Sequence, residues 1–323
     1  MSNKMWFVAL ASLAFLLAPC LQVVRAEDKP LRFIVGAAPG GTPDLAVRTV
    51  ANGWSKYGGR HAIVENKPGA GTMLGAMALA RAAPDGNTIG QLTIGNFAFL
   101  PYLMKDIQYD PFNDFEPIAL TFFVPFVIVV NPSLPVKDVA ELVAYLKANP
   151  DKVRFASPGV GTAAHLFSVL FQKTTGTRMT HVPYLGSAQY LTSLAENETQ
   201  VMFATITDSI GHIQSGKLRV IAATAKERAS SFPDLKTVAE QGYPDFDAIG
   251  WGGIVAPKGT PADLISNYSA TIGKIINEPD VKKRLADQGM DVKSSSPPEF
   301  AALITSEAKK WSTVIKDAGL APQ

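Results

Sequence analysis

Hydrophobic and polar positions follow two periods along this chain, and the periods alternate. Dense apolar runs read as buried strands at Phe33 to Val35, Ala62 to Val64, Thr88 to Leu92, Val153 to Ala156, Thr180 to Val182, Val201 to Ala204 and Leu218 to Ala222. Between them apolar residues recur every three to four positions. Examples are Leu45, Val47, Val50 and Trp54, then Val136, Val139, Leu142, Val143 and Leu146, then Leu264, Ile265, Tyr268, Ile272, Ile275 and Ile276. The first pattern suits a strand covered on both faces, the second a helix with one buried stripe. Further helices are predicted from Leu74 to Ala82, Leu166 to Thr174, through Leu191 and Leu194, from Pro279 to Gln288 and from Glu299 to Ala318. Tyr57-Gly58-Gly59, Pro84-Asp85-Gly86-Asn87 and Asn149-Pro150 punctuate the series, because Pro fixes φ and Gly tolerates reversal. Strands alternating with helices at this spacing predict parallel, doubly wound α/β sheets.

Two runs break the alternation. Phe126 to Val130 is β-branched and ends in Asn131-Pro132, and it reads as a crossing into a second lobe; Trp251 to Ala256 reads as the return. The division expected is residues 1–26 before the fold, 27–129 as the first part of lobe 1, 130–250 as lobe 2, and 251–323 as the remainder of lobe 1. Two α/β lobes joined by two crossing segments describe a hinged clamp. No internal repeat of 20–50 residues is visible.

The candidate chemistry lies in two glycine loops. Ala37-Ala38-Pro39-Gly40-Gly41-Thr42-Pro43-Asp44 follows the first strand, and Ser157-Pro158-Gly159-Val160-Gly161-Thr162-Ala163-Ala164-His165 follows a strand in the second lobe. Each joins a strand to a helix. Glycines let the backbone turn tightly, and the helix start adds unpaired N–H donors and a partial positive charge, so such a joint holds an anion without Lys or Arg. Two joints in two lobes point to one anionic group held between them. Phe97, Tyr184 and Trp251 fall at strand ends or turns, where a closing clamp has its cleft. Asp44 either caps its own helix or touches ligand.

Composition narrows the function. Residues 1–26 read as a secretory signal peptide, with Lys4 in the n-region, an apolar run from Met5 to Ala18, and a cleavage point near Ala26. Cys20 follows Pro19, a poor match to a lipoprotein box. Cleavage removes this single cysteine along with Lys4 and Arg25, leaving 28 basic and 28 acidic residues. A neutral chain argues against a nucleic-acid partner, and export without disulfides fits a bacterial periplasm.

An enzyme has no anchor here. Asn66-Lys67-Pro68-Gly69-Ala70-Gly71 through Gly75 opens a helix, but its spacing is G-x-G-x-x-x-G, and no acid ends the strand at Thr93-Ile94-Gly95-Asn96, so a dinucleotide cofactor is not expected. His61, His165, His181 and His212 lack metal-ligand spacing, and no G-x-S-x-G elbow occurs. His165 reads as packed or loop-orienting. The remaining enzyme alternative uses His165 or Asp44 as a base.

Further ordered motifs carry a family resemblance. They are Pro39 to Asp44 with Arg48, Val64 to Gly71, Ala80 to Gly86, Tyr109-Asp110-Pro111 with Asp114-Phe115, Ala156 to Gly161, Val182 to Ala188 and Ala222 to Arg228. The chain resembles the tripartite tricarboxylate transporter substrate-binding proteins, the Bug or TctC-like family, over essentially its whole length after residue 26. The resemblance implies a two-lobed periplasmic-binding-protein fold, type II-like. It also implies that the glycine loops act as pincers on one carboxylate, through backbone amides and ordered water.

Carried over, one pincer is Gly40, Gly41, Thr42 and Asp44, and the other is Ser157, Gly159, Gly161, Thr162 and Ala163, with His165 behind it. Pro43 lacks an N–H, so the first must use the amides of Thr42 and Asp44 or a water. Thr205, Thr207 and Asp208 fall where the family reads the far end of its ligand. Ala204 and Thr205 stand where many relatives carry Asp and Asn, and Glu196 to Gln200 replaces a Gly-containing turn. The implied protein is a monomeric periplasmic receptor without cofactor, delivering a small organic carboxylate to permease subunits of a tripartite tricarboxylate transporter. Delivery of the signal to a sensor kinase is the alternative.

Overall fold

The computed structural model describes residues 29–184, 187–229, 232–320 and 322. The expected signal peptide and Cys20 lie outside them. Two sheets organise the chain. The first contains β1 (Leu31–Val35), β2 (Ala62–Asn66), β3 (Thr88–Thr93), β4 (Phe115–Val124), β10 (Gly250–Pro257) and β11 (Asp291–Val292), in the order β11-β4-β10-β3-β1-β2. The second contains β5 (Phe126–Val130), β6 (Arg154–Ser157), β7 (Thr180–Pro183), β8 (Val201–Thr205) and β9 (Arg219–Ala223), in the order β7-β6-β8-β5-β9.

The sheets are not wholly parallel, contrary to the reading of the pattern. β10 runs antiparallel to β3 and β4, β11 runs antiparallel to β4, and β5 runs antiparallel to β8 and β9. For β5 and β10 the reason is the hinge. The other strands except the short β11 end at the cleft, and a strand entering a lobe from the cleft must run away from it. The first crossing is also earlier than expected. It occurs at Pro125, so all of Phe126–Val130 pairs within the second sheet. Proline explains the position, since it cannot donate to a ladder and breaks one apolar run into two strands.

Helices cover both sheets. In lobe 1 these are α1 (Thr42–Tyr57), α2 (Met73–Ala80), α3 (Leu100–Leu103, preceded by a π-helical turn over Gly95–Phe99), α8 (Ala262–Ile276), α9 (Pro279–Asp287) and α10 (Pro297–Asp317). Lobe 2 carries α4 (Val139–Ala148), α5 (Ala163–Thr175), α6 (Ser187–Ala195) and α7 (Ile206–Gln214). Local signals start and stop them. Asp138 caps α4, Ser296 and Glu299 form a reciprocal capping box on α10, and Gly176 ends α5 at φ 63°. The periodic apolar residues of α8 (Ile265, Tyr268, Ile272, Ile275 and Ile276) are all buried.

The lobes touch beside the cleft. Phe167 of α5 stacks on Trp311 of α10 with ring centroids 5.3 Å apart, and Lys173 pairs with Asp317. Thr207 of α7 donates from Oγ1 to Gln288 O at the end of α9, 2.6 Å away. Phe167 and Trp311 are fully buried. Truncating either to Ala removes a large packed ring, at a cost of about 3–5 kcal/mol.

Candidate functional site

β1, β3, β6 and β8 deliver their carboxyl ends to one cavity of about 320 Å³ between the lobes. In each sheet this is the point where successive connections leave in opposite directions, which is where open α/β sheets bind ligands. Lobe 1 contributes Thr42 and Pro43, Gly71 and Thr72, and Thr93 to Gly95; lobe 2 contributes Val160 to Ala163 and Thr205. A larger hollow, about 650 Å³, lies at the opposite end of α1 against α8. Both glycine loops are remote from it.

The first loop is fixed by a charge network beneath it. Asp44 is 1% exposed, and its carboxylate accepts from Gly40 N–H (2.9 Å), from Arg48 Nε (2.9 and 3.0 Å) and from Asn66 Nδ2 (2.7 Å). Arg48 Nη2 donates to Asn66 Oδ1 at 2.8 Å, and Asn66 Nδ2 also donates to Ala37 O at 3.0 Å. Burial pushes the Asp44 carboxyl up, but the hydrogen bonds from Arg48, Gly40 and Asn66 outweigh it and hold the group below its ordinary range. Every strong acceptor site on Asp44 is therefore occupied. Its role is to hold the loop, with Gly40 at φ 83°, while its own N–H and that of Thr42 make no hydrogen bond within the described residues.

The second loop is fixed by neutral groups. Gly161, at φ 79°, donates its N–H to His165 Nδ1 at 3.2 Å, which places the imidazole proton on Nε2. Ser157 Oγ lies 2.7 Å from His181 Nε2, 3.1 Å from Gly159 N and 3.0 Å from Gly159 O. Thr162 caps α5, accepting from His165 N and donating to Gly159 O at 2.8 Å. The His165 and His181 rings stack 4.2 Å apart and both stack on Phe155. Burial, with the neighbouring His181 adding to it, pushes His165 down to about 4; burial alone takes His181 to about 4. Both are neutral at pH 7. The amides of Ala163 and Ala164, the first two of α5, are left without a partner among the described residues.

The predicted site residues thus separate into three groups. Thr42, Gly161, Thr162, Ala163 and Thr205 line the cavity. Gly40, Asp44, Ser157, Gly159 and His165 sit behind it and set the loops, and Gly41 is the helix cap of α1. Four others are elsewhere. Phe97 is in the lobe 1 core, stacked on Trp251 at 6.0 Å. Tyr184 packs on the hydrophobic cluster containing Leu191 and Ile206. Thr207 bridges the lobes, and Asp208 accepts from Tyr190 Oη at 3.0 Å.

Several lining residues were missed: Thr72, Thr93, Phe99, Phe122 and Phe126. Thr72 had a signal in the glycine spacing. Gly75 presses α2 against Gly36, where a Cβ would meet Gly36 Cα at 2.5 Å, and this close approach carries Thr72 to the cavity wall at φ 82°. Phe122 belongs to β4, which the pattern did not assign.

Residues 46–320 match the model of the tripartite tricarboxylate transporter family receptor. The chain belongs to this receptor family. Among relatives of the family, Protein BugT of Bordetella pertussis is 33% identical over 294 residues, covering 90% of each chain. A protein from the TAR-I ttuE-ttuC' intergenic region of Agrobacterium vitis is 34% identical over 304 residues, 92% of this chain and 88% of that one. Solved structures agree. The periplasmic binding protein BugD superposes with a TM-score of 0.77 at 32% identity, covering 91% of this chain and 99% of its own. R. palustris Rpa4515 with adipate gives 0.81 at 29% identity over 91% and 98% of the two chains. MatC from Rhodopseudomonas palustris with bound malate gives 0.76 at 29% over 88% and 98%. The two-lobed α/β architecture of this receptor is therefore that of periplasmic binding proteins. Arg48 and Asn66, both in the motifs that carried the resemblance, owe their place to Asp44.

Proposed function

We propose that the protein is a periplasmic receptor that captures a small organic carboxylate in the interlobe cavity and passes it to the membrane subunits of a tripartite transporter. One observation carries this reading. Unpaired amides of Thr42 from lobe 1 and of Ala163 from lobe 2, with those of Asp44 and Ala164 next along their helices, flank a single cavity that Thr42 and Ala163 line and that no Lys or Arg lines among the described residues. Main-chain N–H groups at two helix starts are suited to an oxyanion, and hydrogen bonds to a charged acceptor are about twice as strong as neutral ones. Each lobe supplies half the donors, so ligand favours the closed arrangement of two hinge states. The leading residues 1–26, read as a signal peptide, and the periplasmic relatives support export.

Thermal unfolding of the exported protein, refolded to strip carried-over ligand, tests the reading. A carboxylic acid at about 100 times its dissociation constant adds about 2.7 kcal/mol, a shift of a few degrees in a chain of this size. The acid is expected to shift the midpoint and its amide is not. Equal shifts from acid and amide sink the carboxylate receptor.

A further inference from the structure

Two hydroxyls of the cavity differ from the others. Phe122, Phe126 and Trp251 make an apolar floor, and the hydroxyls around it belong to threonines. Thr162 and Thr205 are engaged as helix caps, accepting from His165 N and Asp208 N. Thr72 and Thr93, on the lobe 1 wall, are joined instead through Asn96, which is 1% exposed and stands behind them.

The backbone fixes how Asn96 is turned. Thr93 donates its N–H to Asn96 Oδ1 at 3.0 Å, so Nδ2 points the other way and donates to Thr72 Oγ1 at 2.9 Å. Thr93 Oγ1 also donates to Asn96 Oδ1, at 3.3 Å, and Tyr109 Oη donates to Asn96 O at 2.7 Å. A hydroxyl has one proton and two lone pairs. Thr72 already accepts, and its proton meets no acceptor among the described residues. Thr93 already donates, and its lone pairs meet no donor among them. One buried amide thus makes the two wall hydroxyls unlike, a donor at Thr72 and an acceptor at Thr93.

Uncommon backbone conformations place both ends of this link. Asn96 lies in the π-helical turn over Gly95–Phe99, and Thr72 closes a left-handed stretch, with Ala70 at φ 46° and Thr72 itself at φ 82°. Neither Ala nor Thr adopts that region cheaply, and such departures collect at functional sites.

We infer that Thr72 and Thr93 form a subsite for an alcohol hydroxyl of the ligand, and that Asn96 is the positioning residue that sets its polarity. An alcohol oxygen accepts from Thr72 and donates to Thr93 at once. A carboxylate or ketone oxygen only accepts and an ammonium only donates, so each leaves one wall hydroxyl unmatched or breaks the bond from Thr93 to Asn96. The inference rests on the carboxylate reading above and adds a hydroxyl to the acid, whatever its number of carboxylates.

Pairs of acids matched in charge and differing by one hydroxyl test it: lactate with propionate, 3-hydroxybutyrate with butyrate, malate with succinate, and citrate with tricarballylate, titrated calorimetrically into the refolded protein. In the tightest-binding pair the hydroxy acid is expected to exceed its partner by about ten- to a hundredfold. Thr72→Val and Thr93→Val should each remove most of that ratio with the affinity of the hydroxyl-free acid nearly unchanged, and Thr72→Ser should retain it. Asn96→Asp replaces the amide donor by an acceptor and draws the Thr72 proton away from the cavity. It should collapse the ratio even where its added charge weakens both acids of a pair. A ratio near one in every pair, or one that survives both valine variants, overturns the hydroxyl subsite and leaves a carboxylate receptor. No binding by any of the acids, or equal binding by the full amide of the best hydroxy acid, overturns the carboxylate receptor as well.

Discussion

In the lobe 1 loop the groups that fix the backbone are ionic: Asp44 is gripped by Arg48, Asn66 and the Gly40 amide. In the lobe 2 loop they are neutral, with His165 accepting from Gly161 and His181 meeting Ser157 within an aromatic stack. Both arrangements leave the first amides of a helix free at the same cavity. The contrast shows that the pincer geometry does not depend on one kind of support. It needs only an acceptor, held rigidly behind the loop, to take the amides that would otherwise compete for orientation. The supports differ in what breaks them, and four experiments exploit this.

The largest effect is expected from Asp44→Ala. It orphans the Gly40 amide and leaves Asn66 and Arg48 without their shared acceptor, a loss of about 3 kcal/mol by denaturant titration. Affinity for every acid should fall together, because the loop and not the ligand body is disturbed. An unchanged ligand affinity would show that the lobe 1 loop is not part of the clamp.

Acid separates the supports by window. His165 and His181 are depressed to about 4 in the folded protein, against about 6.5 in an unfolded chain. Between those values the unfolded state binds more protons, so stability is present above pH 6.5 and is lost as pH falls toward 4. The loss should be about 2 kcal/mol, because both rings keep some contact with water. Asp44 is also depressed, so its contribution is retained above the ordinary carboxylate range and falls only below it. A His165→Gln, His181→Gln double variant should flatten the pH 6.5 to 4 slope and leave the lower limb. A slope that survives this variant lies elsewhere in the molecule.

His165→Phe keeps a stacked ring but removes the acceptor for Gly161 N–H, at a cost of about 1 kcal/mol or somewhat more. His165→Gln, which restores an acceptor, should recover part of the lost ligand affinity. Equal loss in both variants would mean that packing, and not the hydrogen bond, is the contribution of His165.

The smallest effect belongs to the lobe contact. Thr207→Val removes the donor to Gln288 O, about 0.5 kcal/mol. It should weaken all ligands two- to threefold by favouring the open arrangement. Small-angle scattering without ligand should then report a larger mean radius of gyration. An unchanged radius would mean that Thr207 does not help to hold the lobes together.

Much of this was legible in local pattern. The two glycine loops, the helix starts behind them, and most strands follow from apolar runs, turn residues and spacing. Pro43 also announced which lobe 1 amides remain for a ligand, because it has none of its own. What was not legible shares one cause. β4 escaped notice because Pro125 divides a continuous apolar run, and only its second half looked like a strand. Phe97 and Tyr184 sit at strand ends like cleft residues, but burial decides which way an aromatic side chain turns, and that depends on partners distant in sequence. Thr207 looked like ligand-binding chemistry, and its partner is Gln288, 81 residues on.

By itself the sequence determined where backbone N–H groups would be left over, since helix starts, glycines and prolines act over a few residues. It also determined the lack of any basic residue in either loop. Only the tertiary structure decided that Asp44 and His165 stand behind the loops and not in front of them. Only it decided that Phe122, Phe126 and Trp251, from three different strands, form one apolar floor. Hydrogen-bond donors at a helix end are local properties of the chain, whereas a cavity wall is made by segments that meet only when the two lobes are folded and joined.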